Sequence, residues 1–296
     1  MDNRLVELRA LASGAGKTRT ETGIPRVAMV QGKVPEHELA AVYDPMVNLI
    51  LQGRKLMTIG DRTLEYDPAS YFVMSIDLPA VGAIHAAETG EAYLAVSLTI
   101  DPSVVADVLA CAPPMTAPPV ATHAFSVASV TPELLDAFVR MLRLMHAPSD
   151  IPVLAPAYER EILYRVLQGP HGGMLRDIAM PDTALSRMRQ AIQWIRANFR
   201  GPMRVETLAE MAAMSASAFH RHFKAATAMS PLQFQKRIRL LQARTLLIAG
   251  AGSTAAVAFE VGYESASQFS REYARFFGLP PTRDALKVQG DLGRLT

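Results

Sequence analysis

Two short stretches near the C-terminus carry side chains suited to reading a nucleic-acid groove. Ser217, His220, Arg221 and Lys224 recur at helical spacing, and Ser267, Gln268, Ser270, Arg271 and Arg275 crowd a second segment. Arginine can give two hydrogen bonds to a guanine edge and glutamine can bond adenine, while serine and lysine reach phosphates. Phe219 and Phe223, four apart, would bury the opposite face of the first segment, and Phe269 and Tyr273 that of the second. Metal chemistry is poorly provided for. The seven histidines are His37, His85, His123, His146, His171, His220 and His222. No His-x-His falls in the strand-rich region, His85 with Glu88 is too small a set, and His220 and His222 point to different helix faces. No catalytic residue, metal or cofactor is expected, and the chain does not read as an enzyme.

These segments need a frame that presents them, and the C-terminal third repeats one. Ser215–Pro231 and Ser265–Pro281 align at an offset of 50, with six of 17 positions identical: Ser215/Ser265, Ala216/Ala266, Ser217/Ser267, Phe219/Phe269, Arg221/Arg271 and Pro231/Pro281. Repeats of this size mean one supersecondary unit used twice. Each reads as helix–turn–helix, the first over about 205–226 and the second over about 254–277. A linker helix over 232–248 joins them and carries Lys236, Arg237, Arg239 and Arg244, and another helix is expected over 184–199. Residues 181–296 hold 16 Lys/Arg against 8 Asp/Glu, whereas residues 1–180 hold 14 against 20. A basic half beside an acidic half points to a polyanion partner.

The N-terminal part has a different character. Residues 2–12 predict a short amphipathic helix. Ser13–Thr18 ends like a phosphate-binding loop but has Leu11 where the first glycine belongs, so it reads as a connector. Strands are predicted at 26–30, 47–52, 55–59, 62–66, 71–76, 82–86 and 92–100, with turns at Gly53, Gly60-Asp61, Asp67-Pro68, Leu78-Pro79 and Thr89-Gly90. Helices follow over 132–146 and 155–168, the second ended by the glycine-rich 168–173. Their apolar faces predict a dimer contact. The fold class is therefore α+β. An N-terminal segment over 1–23 precedes an antiparallel barrel or sandwich over 24–180 with flanking helices, and an all-α domain occupies 181–296.

Half of the residues are hydrophobic and 20% are charged, a globular composition. The longest uncharged stretch, 108–132, holds five prolines, so it is no membrane helix, and the N-terminus has no apolar signal core. A cytoplasmic protein is expected. The single cysteine, Cys111, cannot form an internal disulfide. It reads as a small apolar residue or as a sensor thiol, with no basic group near it in sequence.

The run Ala258-Phe259-Glu260-Val261-Gly262-Tyr263-Glu264-Ser265-Ala266-Ser267-Gln268-Phe269-Ser270-Arg271-Glu272-Tyr273, followed by Phe277-Gly278-Leu279-Pro280-Pro281, resembles the signature of AraC/XylS family transcription regulators. The resemblance covers roughly 186–287. It implies two recognition helices in successive major-groove segments of double-stranded DNA. Ser217, His220, Arg221 and Lys224 would lie on the first, and Ser267, Gln268, Ser270 and Arg271 on the second. One departure is Ala228, at a place where glycine is common. Tyr43-Asp44-Pro45, Leu51-Gln52-Gly53-Arg54-Lys55 and Ser75-Ile76-Asp77-Leu78-Pro79 resemble the cupin-like N-terminal domain of one AraC-type subfamily. That implies sensing of a small organic effector, or homodimerisation, with RNA polymerase as a partner and no membrane. Gln52-Gly53-Arg54-Lys55 reads equally as a plain hairpin turn. Strands over 47–51, 71–74 and 93–98 are the expected lining of an effector site, without an assigned inward face. The alternatives are a cupin-type metal enzyme, or a Cys111-based electrophile sensor or repair protein, fused to a DNA-binding module.

Overall fold

The computed structural model describes residues 3–14, 19–32, 38–68, 70–87, 90–113, 123–181 and 183–293. Glu88, His37 and most of the 13–18 connector lie outside the described residues. The chain divides into two compact units, residues 1–189 with 225–228, and residues 190–224 with 229–296. Among the described residues no helix is long and apolar enough to cross a membrane.

The first unit runs α1 (Asn3–Ala12), β1 (Arg19–Glu21), β2 (Val27–Gly32), β3 (Glu38–Tyr43), β4 (Met46–Gln52), β5 (Arg54–Ile59), β6 (Arg62–Tyr66), β7 (Ser70–Met74), β8 (Leu78–His85), β9 (Tyr93–Thr99), α2 (Pro102–Cys111), β10 (Phe125–Ser129), α3 (Pro132–Arg143), α4 (Ile151–Gln168) and α5 (Gly172–Ala179). The strands form two antiparallel sheets, ordered β1-β2-β9-β4-β7-β10 and β3-β8-β5-β6. Tyr66 Oη donates to Asn48 Oδ1 across the two sheets at 2.9 Å. Asn48 therefore faces the second sheet, and Val47 and Leu49 face the other way. They too are buried, because α1 lies against β4 and β9 and α3 lies against α1. Arg9 of α1 donates to the Leu51 carbonyl at 2.6 Å.

Several expectations change. The N-terminal helix is no separate segment: Leu5, Leu8 and Ala12 are buried in the first unit, and β1 pairs with β2. Strands β3 and β10 were not legible as strands. Gly53 is not a hairpin turn, since β4 and β5 belong to different sheets. It is a corner at φ +78, where a Cβ would stand 2.5 Å from the His85 carbonyl oxygen. Leu78-Pro79 opens β8 instead of making a turn, and Gly172-Gly173 opens α5 immediately after α4 has ended.

The helices predicted over 132–146 and 155–168 bury their apolar residues within their own unit. Leu134, Leu135, Phe138, Val139 and Leu142 of α3 are all buried, as are Ile162, Leu163, Val166 and Leu167 of α4. Arg26, at φ +64, holds the buried Glu159 of α4 with two hydrogen bonds, Nε–Oε1 at 2.8 Å and Nη2–Oε2 at 2.5 Å. This pair ties the start of β2 to the middle of α4, and its removal would leave Glu159 charged and unpaired.

His171 immediately precedes α5, is 1% exposed and meets the Tyr71 ring edge-on at 5.0 Å. Its Nε2 has no hydrogen-bond partner among the described residues. Burial lowers its pKa from 6.5 to about 4. Below pH 6.5 the unfolded chain takes up a proton that the folded chain refuses until about pH 4. The resulting stability is present above pH 6.5 and is lost as pH falls to 4, by up to about 3 kcal/mol. Denaturant unfolding followed by circular dichroism should therefore show a larger loss between pH 7 and 4.5 in wild type than in His171→Asn. Equal losses would contradict a neutral buried histidine.

Candidate nucleic-acid interface

The second unit contains most of α6 (Ala184–Asn198, which spans the division at 189), α7 (Val205–Met211), α8 (Ala216–Thr227, whose last three residues are grouped with the first unit), α9 (Pro231–Ile248), α10 (Thr254–Glu260), α11 (Ala266–Phe277) and α12 (Pro281–Gly293). The pairs α7–α8 and α10–α11 are the two helix–turn–helix units, with α9 between them. The six repeated identities now divide by role. Ser215 and Ser265 cap α8 and α11, accepting from the amides of Ala218 and Gln268 at 3.3 Å. Ala216 and Ala266 are the first helical residues, and Pro231 and Pro281 open α9 and α12. Phe219 and Phe269 are fully buried. Ser217/Ser267 and Arg221/Arg271 remain, and all four are exposed.

On α8, Ser217, His220, Arg221 and Lys224 share one exposed face. On α11, Ser267, Gln268, Arg271 and Arg275 are exposed, while Ser270 is half-buried, less open than its polarity suggests. Arg221, Lys224, Arg271 and Arg275 make no ion pair among the described residues. The cations of α9 behave differently. Lys236 Nζ pairs with Glu272 of α11 at 2.8 Å. Arg237 stacks on the Phe276 ring at 3.9 Å. Arg244 grips the buried Asp284 of α12 through Nε at 2.8 Å and Nη2 at 3.0 Å, and Tyr273 Oη donates to the same carboxylate at 2.8 Å. Burial alone would raise the Glu272 carboxyl, but hydrogen bonds from Lys236, Gln268 and Tyr263 outweigh it and hold it below the usual carboxylate range. The Lys236 bond joins α11 to α9 along a cleft of about 290 Å³ lined in part by Leu240 and Phe276.

Arg239 gathers the remaining backbone. Its Nε donates to the Phe199 carbonyl at 2.7 Å, Nη1 to Gly262 at 2.7 Å, and Nη2 to Gly201 at 2.9 Å and Arg200 at 3.2 Å. Gln235 Nε2 adds bonds to Phe199 and Gly201. The carbonyls left unpaired after α6 are thereby joined to the turn after α10.

The two turns are not identical. Four residues, 212–215, separate α7 from α8, and five, 261–265, separate α10 from α11. In each the second residue is left-handed, Ala213 at φ +51 and Gly262 at φ +92. A Cβ on Gly262 would stand 2.1 Å from the Arg200 carbonyl oxygen. Ala228 takes φ +57 and its repeat partner Gly278 φ +77. The departure from glycine at Ala228 thus leaves the left-handed backbone in place, at a cost of about 1–2 kcal/mol.

Cys111 sits exposed at the end of α2, with Arg160 Nη2 at 3.7 Å from its Sγ. A basic group is therefore near it in space, though none is near in sequence. Among the described residues no three His, Cys, Asp or Glu converge as a metal site would require.

Residues 23–174, more than half of the chain, match the family described as AraC-type transcriptional regulator N-terminus, and residues 208–285 match a helix-turn-helix domain family. The HTH-type transcriptional activator RhaS of Escherichia coli strain SE11 is 26% identical over 146 residues, covering 48% of this chain and 50% of RhaS. RhaS of Escherichia fergusonii is 31% identical over 96 residues, covering 32% and 34%. The chain thus spans about half the length of the curated relatives it matches. In fold it is similar to ToxT from Vibrio cholerae strain SCE256, solved with an unsaturated fatty acid bound, with a TM-score of 0.56 and 11% identity over 88% of this chain and 94% of ToxT.

Two pairs of variants test the frame. Gly262→Ala should destabilise the second unit by about 2 kcal/mol or more, from backbone strain plus the clash with Arg200. Ala213→Gly, at the matching turn, should stabilise it by about 0.5–1 kcal/mol once unfolded-state entropy is offset. Arg239→Ala should cost about 2–4 kcal/mol, and Arg239→Lys should recover little of it, because an ammonium cannot span the fork. The single tryptophan, Trp194 on α6, reports each transition by fluorescence. Melting unchanged in both Arg239 variants would contradict the clamp.

Proposed function

The chain belongs to the AraC-type transcriptional regulators, and we propose that it binds operator DNA through α8 and α11 in successive major-groove segments. The observation that carries this reading is the pair Arg221 and Arg271. They occupy matching positions in two capped, phenylalanine-anchored helices, and both are exposed and make no ion pair among the described residues. Ser217, His220 and Lys224 would accompany the first, and Ser267, Gln268 and Arg275 the second, with Ser270 at the margin. Their polar faces lie opposite the buried Phe219–Phe223 and Phe269–Tyr273 faces, as groove entry requires.

In this reading the first unit receives a small organic effector that favours one state of the regulator. A second copy of the chain, RNA polymerase and a cytoplasmic site of action are supported by family membership alone. The burial of the α3 and α4 apolar residues within their own unit gives no additional support to a dimer through those helices.

Duplexes selected from a random library supply the ligand for a shift assay. Arg221→Ala or Arg271→Ala should weaken the selected site by about 1–3 kcal/mol and relax preference at the contacted base pairs. Lys224→Ala should weaken selected and unselected duplexes alike, with a shallower salt dependence. If both arginine variants keep wild-type affinity and selectivity, α8 and α11 are not the reading helices.

A further inference from the structure

The space between the two sheets of the first unit holds polar groups where hydrocarbon would be expected. Lys55 of β5 is 6% exposed. Its Nζ lies 5.1 Å from the Tyr43 ring centroid, and no carboxylate among the described residues pairs with it. Burial pulls its pKa from 10.5 to about 8, so at neutral pH it is still mostly a cation, held in low dielectric without a counter-charge among the described residues.

Other groups surround it. Tyr93 of β9, 2% exposed, belongs to the opposite sheet, and its hydroxyl has no hydrogen-bond partner among the described residues. Burial and the neighbouring Tyr43 push its pKa upward. Tyr66 is stacked on Phe72 at 5.3 Å and already committed to Asn48. The Gly53 corner brings the strands together: a Cβ there would lie 3.3 Å from Tyr93 Cα, and Lys55 follows two residues later. The motif 52–55 therefore splits. Arg54 pairs with Glu65 in solvent at 3.0 Å, Gln52 donates to the Ala92 carbonyl at 2.7 Å, and Lys55 turns inward.

We propose that Lys55 and Tyr93, set beside Tyr43 and Tyr66 inside the sandwich, anchor the carboxylate of a small organic acid whose hydrocarbon part lies among the aromatic and aliphatic side chains. Two unsatisfied donors of this kind fit one acceptor-only anion. A sugar or another neutral ligand would leave the ammonium uncompensated, and a metal cation would be repelled by it. The site rests on the reading of the first unit as an effector domain and names the chemical class of that effector.

The test uses the full chain with benzoate, phenylacetate, octanoate and decanoate, each beside its primary amide, in calorimetric titration and thermal melting. At least one acid should bind wild type saturably and raise its melting temperature, with its amide weaker by about 10- to 100-fold. Lys55→Met should melt at or above wild type without ligand, because it removes the buried cation, and it should lose the acid response. Lys55→Gln provides the same comparison if the methionine variant folds poorly, and Tyr93→Phe should weaken binding by a smaller factor. An acid response retained in Lys55→Met, an amide equal to its acid, or no response of wild type to any of the four acids overturns the proposal. So does an aldehyde adduct trapped on Lys55 by borohydride, which would assign the lysine to carbonyl chemistry. A duplex shift assay on the same preparations separates the two levels. Intact DNA binding with failed acid binding removes this site alone, whereas failure of wild type to select any duplex removes the regulator reading.

Discussion

Arg239 holds together the backbone on which the second unit depends. A helix leaves its last carbonyls without partners, and here those following α6 and the turn following α10 converge on one guanidinium. A planar fork with five donors can serve these four carbonyls from two segments at once. The close approach that makes this possible also requires glycine at 262, because any Cβ would overlap Arg200. The turn that launches α11 is thereby fixed from both sides, by a donor and by the absence of a side chain. Lys236, Glu272 and Tyr263 then set α11 against α9, and Arg244, Asp284 and Tyr273 lock α12 onto the same pair.

This arrangement changes what the charge of the C-terminal third means. Four cations on α9 contributed to the excess of basic residues read from the sequence, yet each is engaged inside the protein with a carbonyl, a carboxylate or a ring. Arg221, Lys224, Arg271 and Arg275 of α8 and α11, by contrast, are exposed and make no ion pair among the described residues. A count of basic residues gives the sign of a partner; only the placement of each side chain separates a structural cation from an available one.

The helix–turn–helix repeat was legible because its markers are local: serine caps, aromatic residues four apart and a proline at the first position of the following helix. The one-residue difference between its two turns was not, since the alignment at an offset of 50 begins only at their last residues, Ser215 and Ser265. The sandwich was legible as a set of short strands but not as a topology. Strand β4 is buried on both faces, by α1 and by the second sheet, so the alternation that would reveal an inward face is missing. Gly53 looked like a hairpin glycine because left-handed backbone serves a tight turn and a corner between sheets equally well. Glycines 172 and 173 were read as a helix end, yet they begin α5, where a Cβ at 172 would meet the Leu167 carbonyl oxygen at 2.1 Å. The neighbour of Cys111, Arg160, is 49 residues away in sequence, a distance that no local pattern can bridge.

The unpaired cations of the two units carry different weight as signals. Arg221 and Arg271 are exposed, and water solvates an exposed guanidinium at little cost, so the absence of a partner says little about either residue alone. Their significance comes from repetition, the same residue at the same place on two helices whose other shared positions are explained by caps and core. Lys55 has no repeat to support it and needs none. An ammonium buried between sheets, with no counter-charge among the described residues, is unfavourable in the folded chain, and substitution by a hydrophobe of similar length would relieve it. A residue that weakens the fold it sits in calls for a reason outside the fold, and an anion arriving from solution is one that satisfies both Lys55 and Tyr93 at once.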